Sequence, residues 1–107
     1  MTVRRDELVW KALADSNRRR ILDLLKDGPK TTGDLYEKFP QMTRFGVMKH
    51  LKVLSQAGLL IQEERGREVW SYLNAVPIRQ IYDRWISGFQ DQWATRLTNL
   101  KNEIENK

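Results

Sequence analysis

Three features of this 107-residue sequence predict a mainly α (α+β) fold with a single β-hairpin. The stretch Thr43 to Gly58 sets Val47, Leu51 and Leu54 at helical spacing and puts Arg44, Lys49, His50 and Lys52 on the remaining surface. Directly after it, two β-prone runs, Leu59 to Glu64 and Glu68 to Leu73, flank Arg65-Gly66-Arg67. Near the end, Ile78, Ile81, Tyr82, Trp85, Phe89, Trp93, Leu97, Leu100 and Ile104 recur at steps of three and four. Together they predict a winged helix-turn-helix: four helices, a two-stranded β-wing and a long C-terminal helix. The chain reads as one domain over 1–107, with the helix-turn-helix at about 31–58, the wing at about 59–73 and the terminal helix at about 76–104.

In order along the chain, residues 4 to 14 predict a first helix with Leu8, Ala12, Trp10 and Leu13 turned inward. Asp15, Ser16 or Asn17 ends it and caps the next, because short polar side chains bond the free amides of a helix start. The second helix spans about Asn17 to Lys26, with Ile21, Leu22, Leu24 and Leu25 as core, and Asp27-Gly28-Pro29 stops it. Arg18, Arg19 and Arg20 in its first turn point three ways and form no single patch; one is expected to pack structurally and another to meet phosphate. Thr31 or Thr32 caps a short third helix, Gly33 to Phe39, with Leu35 and Phe39 as a buried i, i+4 pair. Pro40-Gln41-Met42 is a tight connector to Thr43, whose hydroxyl caps the fourth helix, and Gly58 provides its left-handed exit. In the hairpin, Val69, Ser71 and Leu73 alternate with Trp70 and Tyr72. Asn74 or Val76 starts the last helix, with Pro77 in its first turn, where a missing amide costs nothing. At 1.5 Å per residue its apolar stripe extends about 40 Å, more than so small a body can cover, and predicts a two-fold dimer seam joined by Leu8 and Trp10.

Charge points to the partner. The chain carries a net +5, yet no acid occurs from Lys38 through Gln62, a run of twenty-five residues. An amphipathic helix with a purely basic exposed face suits a polyanion, and the major groove of B-DNA admits one helix. There are no cysteines, so thiolate metal sites and cysteine nucleophiles are excluded. His50 is the only histidine and has no second ligand at i+3 or i+4; Asp83, Asp91, Glu103 and Glu105 read as solvated carboxylates. No histidine is placed to activate Ser16, Ser55, Ser71 or Ser87, and phosphate-binding glycine loops are absent. No enzyme, cofactor or metal is expected. No run is long enough to cross a bilayer and Met1 to Glu7 lead straight into an amphipathic segment, so the expected location is cytoplasmic.

With these residues in place, the chain resembles the ArsR family of bacterial winged-helix repressors over nearly its whole length. Ala12-Leu13-Ala14-Asp15-Ser16-Asn17-Arg18-Arg19-Arg20-Ile21-Leu22 is similar to that family's second-helix signature. Lys49-His50-Leu51-Lys52-Val53-Leu54 with Ala57-Gly58-Leu59 is similar to its recognition-helix signature. The Phe45-Gly46-Val47-Met48 variant and the Trp85, Phe89, Trp93 ending resemble its metal-independent, SdpR-like branch. The resemblance implies a homodimer that binds operator DNA near its own promoter and blocks transcription. The family's paired-cysteine metal motif falls around Asp34 to Lys38, where this chain has Asp-Leu-Tyr-Glu-Lys, and the terminal helix lacks the family's histidines. Phe45, Gly46 and Met48 depart from the small and hydroxyl residues many members use there, so the operator sequence cannot be borrowed from relatives.

The expected function is therefore a sequence-specific repressor acting as a homodimer on double-stranded operator DNA. Gln41, Thr43, Arg44, Phe45, Met48 and Lys49 stand where base edges come within reach. Lys30, Thr31, Thr32, Lys52, Arg65 and Arg67 are expected on phosphates or, at the wing, in the minor groove. Leu8, Trp10, Trp85, Phe89, Trp93, Leu97 and Leu100 are expected at the dimer seam. The competing reading is a winged-helix protein-interaction module docking through its tryptophan stripe, with a double-stranded RNA binder third.

Overall fold

The computed structural model describes residues 5–86 and 91–106. Four helices come first, interrupted by one short strand: α1 (Arg5–Leu13), α2 (Ser16–Leu25), β1 (Lys30–Thr31), α3 (Thr32–Glu37) and α4 (Arg44–Gln56). A hairpin of β2 (Leu60–Arg65) and β3 (Glu68–Leu73) follows, then α5 (Val76–Trp85) and α6 (Asp91–Glu105). This is the winged helix-turn-helix expected from the sequence, mainly helical with one small antiparallel sheet.

The helix starts and stops come from local chemistry. Asp15 caps α2, accepting from the amides of Asn17 at 2.8 Å and Arg18 at 3.1 Å. Thr31, rather than Thr32, caps α3 in a reciprocal capping box with Asp34. Thr43 caps α4, its hydroxyl accepting from the Gly46 amide at 2.9 Å. At the far end Gly58 takes φ 76, its amide bonds the Ser55 carbonyl, and the Leu59 amide returns to the Leu54 carbonyl. That pair of bonds is a Schellman motif, and the fully buried Leu54 and Leu59 supply its apolar contact.

The core is one cluster: Val9 and Ala12 of α1, Ile21, Leu22 and Leu25 of α2, Leu35 and Phe39, Val47, Leu51 and Leu54 of α4, then Ala57, Leu59 and Leu60. The fourth-helix face and the Leu35–Phe39 pair are buried as expected. In α1 the buried residues are Val9 and Ala12, while Leu8 and Leu13 are half-buried and Trp10 faces out. The inward placement expected for Trp10 is thus corrected: the indole ring lies against Trp85 of α5, ring centroids 6.0 Å apart.

Two further differences concern the sheet and the C-terminus. The sheet has a third strand, order β1-β3-β2, because Lys30 and Thr31 pair antiparallel with Ser71 and Trp70. Two residues show no periodicity in a sequence, so only the pairing reveals this strand. The continuous helix expected over 76–104 is instead two helices, α5 closing at its C-cap Ile86 and α6 beginning at Asp91. Phe89 lies outside the described residues. Asn74 joins these parts: its side-chain amide donates to the Gly58 carbonyl at 2.8 Å, its backbone amide to the Leu59 carbonyl, and its Oδ1 accepts from the Val76 amide. The exit of α4, the foot of the wing and the start of α5 therefore meet on one side chain.

Candidate nucleic-acid interface

The outer face of α4 is built by subtraction. Val47, Leu51 and Leu54 go into the core, which leaves Arg44, Phe45, Met48, Lys49 and Lys52 outward. Phe45 is 68% exposed and Met48 52%, large apolar groups left in water at the front of a helix that contains no acid. The Lys49 ammonium sits 5.2 Å from the centre of the Phe45 ring, a cation–π pair that gives the face both an apolar plate and a charge. Gln41 and Thr43 are exposed just ahead of the helix. The Thr43 oxygen accepts from an amide, which still leaves its own hydroxyl hydrogen to donate outward.

Residues distant in sequence converge beside this face. The start of α3, the first turns of α4 and the wing enclose an open groove of about 320 Å³ lined by Thr31, Thr32, Arg44, Met48, Arg67 and Glu68 among others. Arg44 from the helix and Arg67 from the wing tip thus face the same channel. A neighbouring groove of about 320 Å³ brings Thr32, Met48 and Lys52 together against Gln62 and Val69. Lys30 is half-buried in β1, and Thr31 is buried with its oxygen committed to the α3 cap.

The wing itself is tightly turned. Arg65 pairs with Glu68 in the ladder, so only Gly66 and Arg67 form the loop. Gly66 takes φ 61 while Arg67 stays at negative φ, as the first and second central residues of a type II′ turn require. The two wing arginines are not equivalent. Arg65 is held by Glu63 and by the Tyr72 hydroxyl, with its guanidinium 5.1 Å from the centre of the Trp70 ring. The Glu63 hydrogen bond keeps that guanidinium above its ordinary pKa. Arg67 forms no ion pair among the described residues.

Behind α4, Arg18 is a junction that sequence reasoning did not resolve. Its guanidinium donates to the Ala12 carbonyl at 2.8 Å and the Lys11 carbonyl at 2.9 Å, and stands 3.2 Å from His50 Nδ1 of α4. Arg19 donates to the Leu13 carbonyl at 2.7 Å. Two of the three adjacent arginines therefore satisfy the free carbonyls at the end of α1. His50 is accordingly a partner of Arg18 across the α1–α2–α4 junction, and among the described residues no group of three His, Cys, Asp or Glu could hold a metal ion.

The apolar stripe lies on α5 and α6, with Trp10 of α1 against it. Trp85 is 54% exposed and Trp10 44%, and Trp93, Leu97 and Leu100 of α6 are about half exposed. Arg84 bonds Asp6 at 3.1 Å and so fastens α5 to α1 around the Trp10–Trp85 contact. Leu8 is half-buried against the core at the edge of this face.

A capped, acid-free recognition helix with its front in solvent and a hairpin folded beside it defines a winged helix-turn-helix DNA-binding protein. The helix-turn-helix domain family model matches residues 13–63. The transcriptional repressor SdpR of Bacillus subtilis (strain 168) is 35% identical over 81 residues, 76% of this chain and 88% of the relative. The HTH-type transcriptional regulator Rv2034 of Mycobacterium tuberculosis is 40% identical over 109 residues, 99% of this chain and 94% of the relative. A crystal structure of an ArsR family transcriptional regulator superposes with a TM-score of 0.73 at 27% identity, covering 85% of this chain and 98% of that one. The chain belongs to the ArsR family of winged-helix transcriptional repressors. Its homologues are DNA-binding regulators, not enzymes. Among the described residues no helix is long and apolar enough to cross a membrane.

Proposed function

We propose that the chain acts in the cytoplasm as a homodimer that reads an operator with the front of α4 and represses transcription without control by metals. The observation that carries this reading is the exposed Phe45–Met48 plate on a helix face free of acids. In this reading Gln41, Thr43, Arg44, Phe45, Met48 and Lys49 address base edges, with Phe45 offered to a thymine methyl and Arg44 to the two acceptors of a guanine. Lys30, Thr31, Thr32, Lys52, Arg65 and Arg67 hold the backbone or, at the wing, the minor groove. Trp10, Trp85, Trp93, Leu97 and Leu100, with Leu8 at the edge and Phe89 from sequence, form the two-fold seam. The chain has no cysteine and one histidine, which faces Arg18, and this supports independence from metals. Zinc, cadmium or arsenite should leave the protein–DNA complex intact; specific, reversible release by any of them overturns that part.

Binding selections on randomised duplexes test the reading role of α4. Arg44→Ala should cost about 1 to 3 kcal/mol at the preferred site and relax one base position in each half-site. If the mutant keeps the wild-type base preferences, Arg44 does not read sequence.

A further inference from the structure

Beside Arg18 and Arg19 on α2 stands a third arginine that, among the described residues, neither the α1 carbonyls nor an acid engages. Arg18 and Arg19 are used by their own chain, whereas Arg20 is exposed and makes a cation–π contact with one ring: its Cζ is 4.9 Å from the centre of Phe39. Phe39 is itself buried, so the plate beneath the guanidinium is fixed. A cation–π contact of this kind uses none of the guanidinium's N–H donors, which stay available to a second partner.

Arg20 lines a pocket of about 460 Å³ between the first turn of α2 and the α3–α4 turn. Asn17, Arg20, Lys38 and Gln41 supply its polar lining, and no acid lines it. The nearest acid along α2, Asp23, is paired with Lys26 at 3.2 Å. Among the described residues neither Arg20 nor Lys38 forms an ion pair. Two cations and two amides around a polar opening, with one cation held against a buried ring, match the oxygens of a phosphate diester. The pocket ends at Gln41 and Met42, immediately before the Thr43 cap of α4. A phosphate seated there therefore belongs to the duplex whose major groove α4 enters.

We propose that Arg20 and Lys38 form a phosphate clamp on the operator backbone, at a pocket that no wing residue lines. This rests on the operator-binding reading and adds a second anchoring point to it. With the wing-side groove at Arg44 and Arg67, it gives the recognition helix two backbone contacts and fixes its depth and register in the groove.

The test uses the full chain with its preferred duplex and an unrelated duplex across a salt series. Arg20→Gln keeps a planar group over Phe39 and removes the charge. It should weaken both duplexes by the same factor, leave base preferences unchanged and lower the slope of log affinity against log salt by about 0.9. Arg20→Lys should restore most of that slope, and Lys38→Gln should lower it in the same direction as Arg20→Gln. A scan with single neutral methylphosphonates should find one phosphate per half-site whose neutralisation weakens the wild type but not Arg20→Gln. An unchanged slope in a folded Arg20→Gln variant, or the absence of any such phosphate, overturns the clamp. In that outcome the wild type still prefers its operator and the Arg44 effect persists, so the clamp fails alone. If the wild type binds no duplex, both readings fall together.

Discussion

Arg18 shows how one side chain can set the position of a recognition helix. It binds the last carbonyls of α1, approaches Asp15 at 4.0 Å and reaches His50 on α4. Hydrogen bonds from a charged group contribute about 1.5 to 3 kcal/mol, so Arg18→Ala should destabilise the fold by roughly that amount in chemical denaturation. Arg20→Ala, with only a ring to lose, should cost clearly less, and equal losses would contradict the division of labour among the three arginines. Asp15 adds a pH dependence. Burial pushes its carboxyl up, but the Arg18 and Asn17 amides, then the charges of His50 and Arg18, outweigh this and hold it below its ordinary value of 3.8. A carboxyl with a lowered native pKa stabilises fully above its unfolded value and loses that contribution as pH falls through the native one. Below about pH 4 the wild type should therefore lose stability faster than Asp15→Asn, which retains a cap; denaturation midpoints between pH 7 and pH 3 check this. The sequence announces three arginines in one turn but not their fates, because the α1 carbonyls that select two of them exist only once the helices pack.

Among the elements, α4 and the wing were the most legible. A 3.6-residue period fixes which face of α4 is buried, and alternation around a glycine fixes the hairpin. β1 was not legible, since its two residues become a strand only through their partners in β3. Nor was the end of α5 at Ile86, because the apolar stripe runs on in the sequence past that point. The wing's electrostatics were only half visible: its arginines stand out, while the answer of Glu63 to Arg65 depends on the strand geometry. A solvent-exposed ion pair is weak, so a DNA phosphate can compete with Glu63 for Arg65. Arg65→Ala and Arg67→Ala should each make the salt dependence of DNA binding shallower by about one phosphate contact. No change in the salt slope for Arg65→Ala would assign Arg65 to the hairpin alone.

At the scale of the whole molecule the chain is extended. Its radius of gyration is 18.2 Å, against about 13 Å for a compact chain of about a hundred residues, and its longest dimension is 59 Å. Large apolar residues of α5 and α6, Trp85, Trp93, Leu97 and Leu100 among them, are about half exposed, and exposed apolar groups of this size suit the proposed seam. In the homodimer reading a second copy covers it, and Asn74 links the start of α5 to the exit of α4 and the foot of the wing. Truncating a large apolar residue at such a seam costs roughly 2 to 5 kcal/mol. Replacing Trp93 and Leu97 with polar residues should therefore give helical monomers that bind DNA weakly. A wild type that sediments as a monomer at micromolar concentration would refute the seam.

Footprinting the wild-type protein on its own upstream DNA, with excess unrelated duplex present, addresses the central claim most directly. Two protected half-sites of related sequence are expected, centred about 10 base pairs apart or a multiple of that, matching two recognition helices on a two-fold dimer. Protection no stronger than on the unrelated duplex at physiological salt, or a single isolated half-site, would contradict it.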